Sequence, residues 1–99
     1  MTDSTRRIIA EVLAVPKGRV SCYRDIAIKA ELPNGARQVV RILHSLSEKF
    51  NLPWHRIIRC DGSIALKEGA GRELQVSLLR AEGVKISPGG KVDMKKYGV

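Results

Sequence analysis

Ser21-Cys22-Tyr23-Arg24-Asp25-Ile26-Ala27-Ile28-Lys29-Ala30-Glu31-Leu32-Pro33-Asn34-Gly35-Ala36-Arg37-Gln38-Val39-Val40-Arg41-Ile42-Leu43-His44-Ser45-Leu46-Ser47 is the stretch that decides the fold. Ser21 reads as the N-cap of a short helix that turns Ile26, Ala27 and Ala30 inward. Pro33-Asn34-Gly35 breaks that helix, and Asn34 is placed to cap the next, expected from about Gly35 into Ser47. Along this second helix Ala36, Val39, Val40, Leu43 and Leu46 fall on the side expected to be buried, and Arg37, Arg41, His44 and Ser45 on the other. Two helices about four residues apart, the second presenting arginines, form a helix-turn-helix.

Toward the N-terminus, Asp3 or Ser4 is expected to cap a helix whose Ile8, Ile9, Val12 and Leu13 make one apolar stripe, ended by Pro16 and Gly18. Beyond Phe50 the helical period is lost. Asn51-Leu52-Pro53-Trp54-His55-Arg56-Ile57-Ile58 reads as an irregular segment leading into a short apolar run, Asp61-Gly62 as a turn, Ile64 to Glu68 as extended chain or loop, and Gly69 to Gly71 as a flexible joint. A last helix is expected from about Arg72, carrying Leu74, Leu78, Leu79 and Ala81, with Gly83 at the position of a C-terminal glycine cap. Residues 87–99 read as a basic, loosely packed tail. No internal repeat or low-complexity tract interrupts the chain, so residues 1–99 are expected to form a single domain that is mainly α-helical.

Composition agrees and narrows the partners. Ninety-nine residues suffice for one core, and a hydrophobic fraction of 43% argues against disorder. The formal net charge of +8 favours a polyanionic partner, nucleic acid before membrane surface. Between Pro16 and Arg59 lie nine basic and three acidic residues, hence six of the eight net charges, as expected if the helix-turn-helix and the Trp54 segment face a phosphate backbone. MTDSTRR has no apolar signal core, and no stretch approaches the roughly 20 apolar residues of a membrane helix. Cys22 and Cys60 lack a CxxC spacing, so a reducing, cytoplasmic compartment is expected. The order Cys22, His44, His55, Cys60 lacks the close pairs of a structural zinc site, and no metal or other cofactor is expected.

Five blocks taken in order, Val15-Pro16-Lys17-Gly18-Arg19-Val20-Ser21-Cys22-Tyr23, Ile26-Ala27, Asn34-Gly35-Ala36-Arg37-Gln38-Val39-Val40, Leu52-Pro53-Trp54-His55-Arg56-Ile57-Ile58 and Leu78-Leu79-Arg80-Ala81-Glu82-Gly83-Val84, resemble the DNA-binding domain of O6-alkylguanine-DNA alkyltransferases. The likeness spans about Ile8 to Ile86. It implies a winged-helix-like helix-turn-helix domain, as in the alkyltransferase C-terminal domain. The family's nucleophile motif is Pro-Cys-His-Arg followed by Val or Ile, and here Trp54 stands at the cysteine position. Dealkylation needs a thiolate whose proton passes through water to a histidine held by a glutamate. An indole is a donor-only, weakly nucleophilic group, so alkyl transfer to this position is excluded and the protein is not expected to be an enzyme. Trp in that place, within an otherwise intact frame, marks the alkyltransferase-like proteins, which this chain resembles.

That resemblance implies binding without repair: recognition of O6-alkylguanine in duplex DNA by minor-groove docking, rotation of the nucleotide out of the stack, and flagging of the lesion for nucleotide excision repair proteins. Carried over residue by residue, Arg37 matches the arginine finger that occupies the vacated space, Tyr23 the tyrosine that crowds the target phosphate, and Trp54 the wall of the lesion pocket. Arg41 is expected to contact DNA, and Lys67 to reach the flipped base or its phosphate. His55 and Glu82 match the former catalytic network and are expected to be structural, still hydrogen-bonded to each other. Two departures stand out: Ser45-Leu46-Ser47-Glu48-Lys49-Phe50 replaces the family's Asn-Pro hinge, and Ser63-Ile64-Ala65-Leu66-Lys67-Glu68-Gly69 replaces its Gly- and Tyr-containing lid. A monomer, nucleoid-associated in a bacterium, is expected. The reading from another class is a helix-turn-helix transcriptional regulator without lesion recognition; it leaves Pro53-Trp54-His55-Arg56 unexplained.

Overall fold

Thr2, rather than Asp3 or Ser4, opens the first helix in the computed structural model, which describes residues 1–99. Its hydroxyl oxygen accepts the N–H of Thr5 at 3.1 Å, satisfying one of the donors a helix start leaves free. Helix α1 (Asp3–Leu13) buries Ile8, Ile9 and Val12. Leu13, expected on the same stripe, faces solvent instead. Strand β1 (Ser21–Cys22) follows, then α2 (Tyr23–Lys29), α3 (Ala36–Phe50), a 3-10 turn at Trp54–Arg56, strand β2 (Ile57–Ile58), α4 (Arg72–Ala81) and α5 (Met94–Tyr97).

The helix-turn-helix is α2 and α3, with capping that differs from expectation. Ser21 is strand rather than cap, and Cys22 precedes α2 without a side-chain hydrogen bond. Acidic Asp25 in the first turn and Lys29 in the last suit the helix dipole. In the turn, Leu32 N–H closes on Ala27 O at 2.8 Å and Gly35 N–H on Leu32 O at 2.8 Å. Gly35, not Asn34, holds the N-cap position of α3. A Cβ on residue 35 would stand 2.9 Å from Leu32 Cβ, so this place accepts only the residue that has none. Helix α3 runs on to Phe50, three residues past the expected end, until Asn51 adopts a left-handed conformation (φ 51°) and Leu52 N–H bonds back to Ser47 O at 2.9 Å.

Two apolar clusters meet along the strands. The larger joins Ile8, Ile9, Val12, Val15, Ile26, Ala27, Ala30, Val39, Ile42, Leu43, Leu52 and Ile57, and so welds α1, α2 and α3. The smaller joins Val20, Ile58, Ile64, Leu79, Val84, Val92 and Tyr97. Between them β1 and β2 pair in parallel, Ser21 opposite Ile57 and Cys22 opposite Ile58. Parallel pairing demands a long crossover, and here that crossover is the helix-turn-helix itself.

The 87–99 segment is not a loose tail. Val92 and Tyr97 are buried in the smaller cluster. Val20 N–H bonds to Tyr97 O and Val99 N–H to Val20 O, so the C-terminus docks on the free side of β1. Local charge suggested a solvated tail; Ile58, Ile64, Leu79 and Val84, and Val20 more than seventy residues away, supply its core.

Candidate nucleic-acid interface

The first two turns of α3 set Arg37 and Arg41 on its exposed face, with Lys49 in the last turn. Arg37 sits next to the helix start, where a cation opposes the helix dipole, and no carboxylate offsets the cost. Of the eighteen Lys and Arg residues only Arg56 lies within 4.0 Å of a carboxylate. The rest of the cationic surface is therefore open to phosphate.

Behind this face lies a cleft of about 540 Å³, within the size range of ligand pockets. Tyr23, the first residue of α2, and Trp54, the first of the 3-10 turn, stand on its walls with Leu66 and Gln75. Helix α3 contributes Val40 and His44 to its rim. Val40, expected in the core, is 47% exposed there, and Ile42 takes the buried place instead. The reason is a rotation of the buried stripe toward α1 and α2, which meet α3 through Val39, Ile42 and Leu43. Tyr23 is half-buried, and burial pushes its phenol pKa up against the opposing pull of the Arg59 cation. Its O–H thus stays a donor at neutral pH.

Lys67, expected at this pocket, is exposed and does not line it; Leu66 does. Ile64 anchors the segment in the smaller cluster, and Leu66, two residues on, returns to the protein side while Lys67 points outward.

Below the cleft, Glu82 gathers three segments. It follows α4 directly, a place where a carboxylate opposes the helix dipole. Four donors offset that cost. His55 Nε2 donates to Oε2 at 2.8 Å, Arg56 Nη2 to Oε2 at 2.8 Å, Arg56 Nε to Oε1 at 3.0 Å, and the Gly18 N–H to Oε1 at 3.2 Å. Arg56 Nη1 reaches on to Val15 O at 2.9 Å. Arg56 first, then His55 and Gly18, hold the Glu82 carboxyl at a pKa of about 2. The turn after α1, the turn bearing Trp54, and the end of α4 are thereby fastened at one carboxylate. Arg56 was not singled out from the sequence, although it stands within the Pro53-Trp54-His55-Arg56 motif.

Two further features escaped the sequence. Cys22 and Cys60 are joined in a disulfide, so neither is the free thiol that was expected. Strand pairing sets Cys22 beside Ile58, two residues before Cys60, and no linear spacing rule detects that. With Asp25 they form a cluster of potential metal ligands, but both sulfurs are spent on each other. The second feature is Gln75, which is 2% exposed and lies one helical turn before buried Leu79. A helical projection from Leu79 brings this polar residue onto the inward face.

Fold and site together define a class of protein: a helix-turn-helix domain whose cationic recognition helix adjoins an aromatic-walled cleft, backed by a histidine–glutamate pair. Residues 3–84 match the DNA-binding domain of 6-O-methylguanine DNA methyltransferase, and the chain belongs to that family. It is similar to a DNA base-flipping protein of Vibrio parahaemolyticus, at 43% identity over 92% of this chain and 90% of that protein. It is also similar to alkyltransferase-like protein 1 of Schizosaccharomyces pombe, at 34% identity over 87% of this chain and 81% of that one. The crystal structure of S. pombe Atl1 with damaged DNA containing O6-carboxymethylguanine superposes with a TM-score of 0.87, at 31% identity over 98% of this chain and 94% of Atl1. No helix is long and apolar enough to cross a membrane.

Proposed function

We propose that this chain binds O6-alkylguanine lesions in duplex DNA by docking α3 in the minor groove and turning the damaged nucleotide into the Tyr23–Trp54 cleft, without transferring the alkyl group. The observation that carries the reading is Trp54 in the wall of that cleft, beside His55 and Glu82 in their hydrogen-bonded pair. No cysteine lines the cleft, and both cysteines of the chain are in the disulfide. An indole cannot take up an alkyl group as a thiolate does, but it offers a broad apolar face against which each added methylene can contribute up to about 0.8 kcal/mol. The pair that would deprotonate a nucleophile survives here as the fastening at Glu82.

The roles divide by environment. Unpaired cations on α3 bring the phosphate backbone, Arg37 enters the stack, and Tyr23 crowds the phosphate of the departing nucleotide. Extrusion costs a few kcal/mol and is cheapest at a damaged base, so selectivity begins before the cleft is reached. Arg41 and Lys67, both exposed, serve the backbone. The protein acts as a monomer where the DNA is, the cytoplasm and nucleoid in a bacterium, and hands the marked lesion to nucleotide excision repair.

Titration of duplexes containing O6-methylguanine or guanine at matched salt tests this, read through Trp54, the only tryptophan. Lesion-selective quenching is expected. Equal affinity for the two duplexes would favour a general helix-turn-helix regulator. Incubation with duplex labelled on the O6-alkyl group should leave no label on the protein; covalent label would overturn the non-enzymatic reading.

A further inference from the structure

Two very short strands join the walls of the cleft. Strand β1 leads directly into Tyr23, and the turn that opens with Trp54 leads directly into β2. A ladder of two residue pairs is a weak connection by itself, and the Cys22–Cys60 bond spans it covalently. Cys22 holds the N-cap position of α2 yet supplies no capping hydrogen bond, so its bond to Cys60 fixes the helix start that carries Tyr23. Arg59, the neighbour of Cys60, is near enough for its charge to act on the Tyr23 phenol. The two sulfur-bearing residues differ in access: Cys22 is 1% exposed, whereas Cys60 is partly open to solvent. Neither apolar cluster includes a cysteine, and α3 packs through Val39, Ile42 and Leu43 in the larger one. Opening the bond therefore leaves the packing of the cationic helix in place.

We propose that the Cys22–Cys60 pair is a reversible redox modification site, with a dithiol as its reductant, and that its state sets how firmly the cleft holds a flipped nucleotide. The proposal rests on the lesion-binding reading and the reducing compartment given above, where a protein disulfide is typically transient and redox-sensing rather than structural. The exchange starts at the accessible end. A thiolate of the dithiol bonds to Cys60 Sγ, the Cys22–Cys60 bond breaks, and its electron pair leaves on Cys22 Sγ, which takes a proton from water. The second thiol of the reductant then displaces Cys60, leaving two thiols on the protein and a disulfide in the reductant. The Asp25 carboxylate, within 4.8 Å of both sulfurs, disfavours a further anion there and keeps the released cysteines as thiols. With the bond closed, Tyr23 and Trp54 stand in one register before DNA arrives. With it open, the two walls are joined by the short ladder alone, and binding must order them.

The test measures dissociation constants of oxidised wild type, dithiothreitol-reduced wild type and Cys22→Ala/Cys60→Ala for duplexes holding O6-methylguanine or guanine at one site. A thiol-reactive dye verifies the redox state and circular dichroism the fold. Reduced wild type is expected to bind the O6-methylguanine duplex about fivefold more weakly than oxidised, the cost of ordering one aromatic wall on binding. Affinity for the guanine duplex should stay within a factor of about two, since the phosphate contacts of α3 are untouched. Reoxidation should restore the tighter binding, and the double variant should match reduced wild type whether or not reductant is present. Equal lesion affinity in the two redox states, or an equal loss for both duplexes, overturns control of the cleft by this bond while lesion binding stands. A bond that stays closed in glutathione buffer with the reduced form in large excess overturns its reversibility and makes it a fixed fastening. Oxidised wild type that binds O6-methylguanine no better than guanine overturns the lesion-binding reading, and this inference with it.

Discussion

Glu82→Gln keeps the shape of the side chain that fastens the site and removes its charge. In the folded protein the carboxylate accepts from four donors, namely Gly18 N, His55 Nε2, Arg56 Nε and Arg56 Nη2. A carboxamide brings one acceptor oxygen and two N–H groups, and the latter meet donors head on. The Arg56 guanidinium, only 17% exposed, is left without a counter-charge. The strength of the fastening follows from the pKa, about 2 in the folded chain against an ordinary 4.5. That difference corresponds to at most about 3 kcal/mol favouring the folded state when the group is ionised. Water at the rim of the site screens part of it, and a loss of about 2 kcal/mol at pH 7 is expected. For a domain of this size that lowers Tm by about 10 °C.

The pH dependence carries the sign. Because folding depresses this pKa, the contribution is complete above 4.5 and disappears as pH falls from 4.5 through 2. Denaturant unfolding of wild type and Glu82→Gln, followed by circular dichroism from pH 7 to pH 2, should show a gap that is constant near neutrality and closes across that window. Asp61, lowered by its hydrogen bonds from Ser63, adds an acid slope common to both proteins, which the difference cancels. A variant within about 0.5 kcal/mol of wild type at pH 7, or a gap that persists unchanged to pH 2, would refute the assignment of the site's rigidity to this carboxylate.

Trp54→Ala should lower affinity for O6-methylguanine duplex about tenfold or more while leaving undamaged duplex affinity within a factor of about two, since stacked or packed aromatic faces are worth about 1–3 kcal/mol and the phosphate contacts are untouched; paired fluorescence-anisotropy titrations measure both. Arg37→Ala should weaken lesion binding more than Lys95→Ala, with a loss that survives high salt, because a side chain in the base stack does more than neutralise a phosphate; identical effects on the salt slope alone would remove Arg37 from the stack. Reduction of the Cys22–Cys60 bond should cost about 2–4 kcal/mol of stability, given the 38-residue separation it closes. Thermal melts with and without dithiothreitol, beside a Cys22→Ser/Cys60→Ser control insensitive to reductant, report that cost; equal melts of wild type in both conditions would show that the bond does not form.

Periodicity and charge along the chain determined the helical frame. Ile8 and Val12, Ile26 and Ala30, and Val39 and Leu43 repeat at helical spacing and are buried, because apolar side chains one turn apart can only be covered together. Breakers at Pro16-Lys17-Gly18 and Pro33-Asn34-Gly35 separate those helices at the places the structure shows. The Trp54 segment was legible as the unusual stretch of the chain, and the pairing of His55 with Glu82 as a consequence of family likeness. What only the tertiary structure decided shares one physical cause, namely partners far apart in sequence. Gly35 displaced Asn34 as cap because Leu32 folds over it. The C-terminal segment is packed because Val20 offers its second edge to Tyr97 and Val99. Cys22 meets Cys60 because two short strands run parallel, and Arg56 and Gln75 acquire their roles from Glu82 and from the carbonyls of His55 and Ile57. A local pattern reports which face of an element is apolar; it carries no record of which distant atom will stand opposite each polar group, and in this protein those pairings build the cleft.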